Sequence, residues 1–148
     1  MDTANIALLA NAAATLVMVG IIWFVQWVHY PLLAVVSTDR ASEVAVEHQR
    51  RTGHVVGLPM AVEGVSTLVL LANRPAEVAL IWPWLGAVLL AIALGSTVFL
   101  SVPRHAKMAI NPDPEIGNSL VRTNWPRTVA WSARGIIVMI MLVQVLGD

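Results

Sequence analysis

The feature that most constrains the fold is the length of the uncharged stretches. No Asp, Glu, Lys or Arg occurs between Asp2 and Asp39, and residues 78–102 are also uncharged. Two further apolar segments, 54–73 and 123–146, are of similar length but contain a few charged residues. About 20 apolar residues as a helix cross the roughly 30 Å hydrocarbon layer of a bilayer. The pattern therefore predicts four membrane-spanning segments.

Composition supports a lipid environment. The chain of 148 residues is 57% hydrophobic and only 12% charged, whereas soluble domains average about 25% charged residues. Lipid tolerates only helices and closed barrels, and barrel strands alternate over about ten residues, which these segments do not. We expect an all-α, integral membrane four-helix bundle in one domain, 1–148. The helices are expected at about 6–30, 54–73, 78–102 and 123–146, and "SEVAVEHQRR" is typical of an amphipathic helix over 41–52.

Several classes of function and processing are disfavoured. The nine basic and nine acidic residues balance, and no basic run suggests a nucleic-acid partner. The chain has no cysteine, so disulfides and thiolate metal sites are excluded. The first segment lacks the positive start of a signal peptide, and we expect it to be retained as a span.

Basic residues set the expected orientation. Six Lys or Arg lie in the first and third connections and one lies in the second. The positive-inside rule then puts connections one and three in the cytoplasm and both termini outside.

Three charged residues lie at membrane depth: Glu63, Arg127 and Arg134. A charge there costs several kcal/mol unless it is paired or hydrated. Asn124, Arg127, Trp131 and Arg134 are spaced by 3, 4 and 3 residues, which places them on one stripe of the fourth helix. Glu63 and Arg134 lie at similar depths, ~14 Å and ~16 Å at 1.5 Å per residue. We therefore expect them to pair, with Arg127 above them, either as a packing contact or, as we prefer, in a functional site.

The histidines indicate a second polar group. His29, His48 and His105 are expected near the cytoplasmic ends of the first three helices, with His54 at the interface or in solvent. Three imidazoles suit iron, copper or zinc, and two suit a haem. The spacing contains no HxxxH, ExxH or HExxH motif, so a hydrogen-bonding or proton-relay role stays open beside metal ligation.

Four blocks of sequence carry a resemblance: "WFVQWVHYPLL", "HQRRTGHVVGLPMAVEG", "VPRHAKMA" and "LVRTNWPRTVAWSARG". Together they resemble small bacterial four-helix membrane proteins of unknown function, which implies a bacterial cytoplasmic (inner) membrane protein. The order P-x-H, N-W-x-R and W-x-x-R is more loosely similar to the anthrone-oxygenase-like membrane family. That similarity implies oxidation of a lipophilic, often aromatic, substrate in the bilayer. The functional roles that this similarity implies would fall on these residues: His105, Asn124, Trp125, Arg127, Trp131 and Arg134.

The resulting hypothesis is a membrane-embedded oxidoreductase or oxygenase acting on a lipophilic molecule or quinone in the cytoplasmic half of the bundle. The site residues fall into three predicted groups: Glu63, Arg134 and Arg127 as catalytic; Asn124, Trp125 and Trp131 as substrate-binding; His29, His48 and His105 as ligands of a metal or haem. Alternatives are a proton-coupled small-molecule exporter that uses Glu63, and a non-catalytic subunit of a membrane complex. Lipid is an expected partner, and homo-oligomerisation stays open.

Overall fold

The computed structural model describes residues 2–111 and 113–147, and the ordered elements within them are helices. In chain order they are α1 (Thr3–Phe24), a π-helical turn (Val25–His29), α2 (Tyr30–Ala34), α3 (Thr38–Ala72), α4 (Ile81–Ser96), a second π-helical turn (Thr97–Ser101), α5 (Val102–Ile110), α6 (Pro114–Thr123) and α7 (Trp125–Leu146). They combine into four long helices: Thr3–Ala34, Asp39–Ala72, Ile81–Ile110 and Pro114–Leu146. Each is long and apolar enough to cross a membrane. The predicted all-α, four-helix architecture is confirmed.

Each π-helical turn ends two residues before a proline. Tyr30 separates the first turn from Pro31, and Val102 separates the second from Pro103. Proline has no N–H and its ring crowds the carbonyl four residues earlier. A locally widened turn relieves that conflict and lets the helix continue, and such turns are frequent at functional sites. Both turns lie at the end of the bundle that carries His29, His48 and His105, which we call the histidine end.

The predicted helix boundaries need four corrections. The segments 41–52 and 54–73 form one helix, α3, which passes through Pro59 without interruption. Pro103 does not end the third long helix, because the π-helical turn absorbs it and α5 continues to Ile110. Residues of the expected third loop form α6, whose first turn is capped by Asp113, accepting from the Glu115 N–H at 2.7 Å. The third long helix starts at Ile81 rather than 78.

One glycine permits close packing at the histidine end. A Cβ on Gly117 of α6 would lie 2.7 Å from the Cα of Ala34 in α2. That is closer than carbon atoms approach, so only glycine allows α6 to rest directly on the α2 backbone.

The apolar core has three clusters along the bundle. One lies at the end away from the histidines and includes Leu8, Leu70 and Met141. A central cluster includes Met18 and Trp131. The third lies at the histidine end and includes these residues: Tyr30, Leu33, Met108 and Leu120. Buried polar residues occupy the two intervals between clusters.

Candidate functional site

Glu63 and Arg134 form a buried ion pair. Their side chains are 0% and 1% exposed, and Arg134 Nε lies 3.2 Å from Glu63 Oε1. Thr15 donates to the same oxygen at 2.7 Å, and Trp131 Nε1 donates to Oε2 at 2.9 Å. The predicted pair is therefore present. It is not bidentate, because the indole of Trp131 takes the second carboxylate oxygen.

The remaining donors of Arg134 are also satisfied. Nη1 donates to the carbonyl of Gly86, and Nη2 lies 3.2 Å from Thr67 Oγ1 and 3.4 Å from both Asn11 Oδ1 and Thr15 Oγ1. A Cβ on Gly86 would lie 3.4 Å from Nη1, at ordinary van der Waals distance, so the guanidinium packs closely against this residue. We call the set of Asn11, Thr15, Glu63, Thr67, Trp131 and Arg134 the buried brace.

The buried brace has no room for a substrate. The cavity beside Arg134 measures about 10 Å³, roughly the minimum that holds one water. Glu63 lines none of the larger cavities among the described residues. The catalytic roles predicted for Glu63 and Arg134 therefore lack direct access to a bound molecule. The brace joins α1, α3, α4 and α7 and fits a structural role.

Arg127 belongs to a separate network. Its Nη2 donates to the Tyr30 hydroxyl at 2.9 Å and to Asn124 Oδ1. Asn124 Nδ2 in turn donates to Gln26 Oε1 at 2.9 Å, and Thr128 donates to the same oxygen at 3.1 Å. Arg127 does lie above the Glu63–Arg134 pair, toward the histidine end, but it does not join the pair, because its Nη2 donates to Tyr30 of α2 and to Asn124.

Three histidines from three helices lie together. His29 Nε2 and His48 Nδ1 are 2.6 Å apart, and the ring centroids of His48 and His105 are 4.7 Å apart. Thr52 Oγ1 lies 3.0 Å from His48 Nδ1, and His105 Nε2 lies 2.9 Å from the Tyr30 hydroxyl. The predicted grouping of the three side chains is present, while His54 is exposed, as expected.

His29 and His48 are hydrogen-bonded to each other, and His48 packs against the ring of His105, so the three imidazoles form a contact cluster. Two nitrogens bound to tetrahedral zinc at about 2.0 Å are ~3.3 Å apart, whereas the His29–His48 nitrogens are 2.6 Å apart. Among the described residues no three His, Asp or Glu side chains converge as metal ligands. Two histidine nitrogens that bind a haem iron from opposite faces would lie ~4 Å apart at a similar bond length. The macrocycle would then separate the two imidazole rings. The geometry does not fit the haem hypothesis, and a metal would require the rings to move.

A cavity of about 260 Å³ lies between the central cluster and the histidine end. Its polar lining comes from these residues: Tyr30, His48, Gln49, Thr52, Ser101, His105 and Arg127. Its apolar lining includes these: Met18, Ile22, Val25, Val56, Met60 and Trp131. The volume lies just below the roughly 300–1,000 Å³ of typical small-molecule sites. The cavity therefore suits a compact amphipathic molecule or the head of a larger one.

Three polar atoms of this lining are unsatisfied. Ser101 Oγ, His105 Nδ1 and Arg127 Nε are buried and have no hydrogen-bond partner within the described part of the chain. An unmet buried hydrogen-bonding group costs about 1–3 kcal/mol. All three atoms belong to residues that line one cavity, and an unsatisfied buried polar group calls for an explanation.

Two of the predicted substrate-binding residues lie elsewhere. Trp125 is 40% exposed and packs edge-to-face on Trp23 and Trp27, with ring centroids 6.1 Å and 6.2 Å away. Asn124 is fully buried and positions Arg127 without lining the cavity. Trp131 does line it.

Sequence reasoning missed Tyr30 and Gln26. Each contributes an atom to the Arg127 network. Gln26 offered a signal, as a polar side chain within the uncharged first segment, and Tyr30 lies between His29 and Pro31.

Comparison of the chain with protein-family models, curated proteins and solved structures found no match.

Proposed function

We propose that the protein is a membrane-embedded oxidoreductase whose cavity at the histidine end binds a lipophilic molecule with an oxygen-bearing ring head, such as a quinone or hydroquinone. The observation that carries this proposal is the group of unsatisfied atoms on Ser101, His105 and Arg127 around one cavity. The apolar wall opposite them, which includes Met60 and Trp131, suits a ring or the start of an alkyl chain.

The chemistry of the unsatisfied atoms favours an acceptor oxygen. Arg127 Nε can only donate, and arginine keeps its positive charge in proteins. A hydroxyl such as Ser101 donates or accepts, and a neutral imidazole does either according to its tautomer. A carbonyl or phenolate oxygen satisfies all three, and a positive charge beside it stabilises the negative charge that develops on reduction.

Tyr30 and His105 can exchange protons with that oxygen, and Arg127 orients the Tyr30 hydroxyl. Arg127 donates to the Tyr30 hydroxyl, which is 2.9 Å from His105 Nε2. Conversion of a quinone to a hydroquinone consumes two electrons and two protons. We assign the proton exchange to His105 and Tyr30, and the electrons to a separate redox partner.

We further propose that the histidine end faces the cytoplasm of a bacterium, with both termini on the outer side of the inner membrane. Arg50, Arg51, Arg104 and Lys107 lie toward this end, whereas Arg74 lies in the connection at the opposite end. This asymmetry follows the positive-inside rule.

The exporter alternative receives less support. It uses Glu63 as the proton carrier, but that carboxylate is fully buried and accepts hydrogen bonds from Thr15, Trp131 and Arg134. A carrier needs to exchange protons with both sides in turn.

Two neighbouring valines allow a matched test. Val56 lines the cavity, while Val55 is 59% exposed on the outer face of α3. Binding of a benzoquinone with a short alkyl tail is measured on protein in lipid nanodiscs. We expect saturable binding that Val56→Phe weakens about tenfold or more, equivalent to ~1.4 kcal/mol, while Val55→Phe leaves it unchanged.

Absence of saturable quinone binding to the folded wild-type protein would remove the proposed substrate class. Equal effects of the two valine substitutions would place the binding site outside this cavity.

A further inference from the structure

We propose that the ligand enters the cavity sideways from the lipid, through a gap between α3 and α5 that is bounded by Gly53 and Val102. We call this gap the side portal. The inference deepens the proposed function and rests on it for the identity of the ligand, but the portal itself is testable without that ligand.

Gly53 and Val102 are the two sides of the gap. Both line the cavity and both are exposed at the surface of the bundle, Val102 by 54%. Gln49, one turn from Gly53 on α3, is the other exposed lining residue, and the rest, including His48 and Met60, are buried or half-buried. A residue that touches the cavity and also the surroundings marks the place where the two connect.

The absence of a side chain at Gly53 keeps this place open. A Cβ built there meets no atom within 4 Å in the described structure. Glycine in a helix interior lowers helix stability by roughly 1 kcal/mol relative to alanine. No packing contact at position 53 requires glycine. Gly57 has equally open surroundings but does not line the cavity, so the feature of Gly53 that bears on the portal is its position on the cavity wall.

The depth of the portal matches the boundary between headgroups and acyl chains. Gly53 lies about 29 Å along α3 from its far end at Ala72, and Val102 lies about 32 Å from the start of α4 at Ile81, at 1.5 Å per residue. The hydrocarbon layer is roughly 30 Å thick. A portal at this level receives a molecule whose polar head sits among lipid headgroups.

The surface next to the portal is apolar on its membrane side. Leu58 is 73% exposed, Phe99 is 77% exposed and Val98 is 57% exposed. Arg50 and Arg51 lie beyond Gly53 on the other side, with side chains 60% and 74% exposed. This gradient suits an amphipathic ligand whose tail stays in lipid while its head moves into the cavity toward Ser101 and Arg127.

The chain has no cysteine, so a single introduced thiol can report access. Ser101→Cys is nearly isosteric and places a thiol on a cavity-lining, buried residue. In nanodiscs its reaction rate is measured with an uncharged lipophilic maleimide and with a sulfonated, membrane-impermeant maleimide. We expect the lipophilic reagent to react about tenfold faster or more, relative to the rates of both reagents with a small free thiol.

Blocking variants have matched controls on the same helices. Gly53→Trp is compared with Gly57→Trp, because Gly57 is also exposed, has the same open space, and does not line the cavity. Val102→Trp is compared with Val98→Trp, since Val98 is exposed outside the cavity. In the Ser101→Cys background, both blocking variants should slow lipophilic labelling about tenfold, and both controls should not.

Equal labelling rates in blocking and control variants would overturn the portal. Faster reaction with the sulfonated reagent would place the entrance in water instead of lipid. Protection of the thiol is measured in parallel with a short-tailed benzoquinone whose other ring carbons all carry methyl or methoxy groups, because an unsubstituted ring carbon would add the thiol covalently. Slower labelling in the blocking variants without quinone protection would refute the proposed substrate and leave the portal standing. Quinone protection without slower labelling in the blocking variants would refute the portal and leave the proposed substrate standing.

Discussion

The Trp131 indole donates a hydrogen bond of 2.9 Å to Glu63 and also lines the 260 Å³ cavity. One side chain thus connects the buried brace to the ligand site. Glu63 holds the ring through its N–H, and the ion pair with Arg134 holds Glu63. The brace therefore fixes one wall of the cavity, and under the proposed function this would reduce the ordering cost of binding.

Glu63→Gln is expected to destabilise the fold strongly. It leaves the Arg134 cation buried without a counter-charge, and breaking such a pair costs about 3–5 kcal/mol. Thermal unfolding in detergent should show a marked fall in Tm. Glu47→Gln is the control, because Glu47 pairs with Arg50 and Arg51 on the surface, and it should leave Tm nearly unchanged. Similar Tm values for the two variants would argue against a brace.

Ser101→Ala should change stability and binding in opposite directions. It removes a buried hydroxyl that has no partner in the described structure, so the ligand-free protein should be as stable as the wild type or up to about 1 kcal/mol more stable. Affinity for the short-tailed benzoquinone should fall about fivefold, the loss of one hydrogen bond.

The matched control for that variant is Ser132→Ala. Ser132 accepts from Trp23 Nε1 at 3.0 Å and donates to the Thr128 carbonyl at 2.7 Å. Its loss should lower stability by about 1 kcal/mol without changing affinity. Loss of stability in Ser101→Ala as well would mean that Ser101 has a structural partner.

Tyr30→Phe should alter the tautomer of His105. Because Arg127 can only donate to the Tyr30 oxygen, the hydroxyl proton is directed to His105 Nε2, and the imidazole proton sits on Nδ1. Without the hydroxyl, that preference is lost. Nitrogen NMR of ¹⁵N-histidine-labelled protein measures the tautomer of His105, and the His105 signals are assigned by comparison with His105→Gln. An Nε2-protonated His105 in the wild type would contradict the proposed direction of the chain.

The histidine cluster should bind zinc weakly. A metal would have to separate His29 Nε2 and His48 Nδ1 from their 2.6 Å contact. Added Zn²⁺ is expected to raise the Tm of the wild type no more than that of His48→Gln, with His54→Gln as the control for surface binding. Stoichiometric iron, copper or zinc in purified wild-type protein that His48→Gln abolishes would restore the metal-ligand hypothesis.

The stripe of α7 was predictable because helical spacing is regular. Asn124, Arg127, Trp131 and Arg134 are 0%, 7%, 2% and 1% exposed, as their common face requires. Trp125 is one residue from that stripe, and one residue rotates a helix by about 100°. It therefore points away to the surface, which the same geometry could have indicated.

The partner of Arg127 was not predictable from depth alone. Matching depth along two helices paired Glu63 with Arg134, but it does not specify rotation about the helix axes and so gave no partner for Arg127. The π-helical turn at Val25–His29 changes the register of the first long helix and brings Tyr30 to Arg127. Proline signals that a helix must be disturbed there, but not which way the disturbance turns the following residues.

The sequence by itself determined four long apolar helices, the polar stripe of α7 and the need for a counter-charge at Glu63, because length, periodicity and the cost of buried charge are local properties or simple sums. Tertiary structure alone decided that Glu63 and Arg134 are enclosed in a brace, that the three histidines face one another in a cluster, and that Ser101, His105 and Arg127 surround an open cavity. These depend on the rotation and packing of whole helices, and a shift of one residue in either π-helical turn would bring different side chains into the cavity.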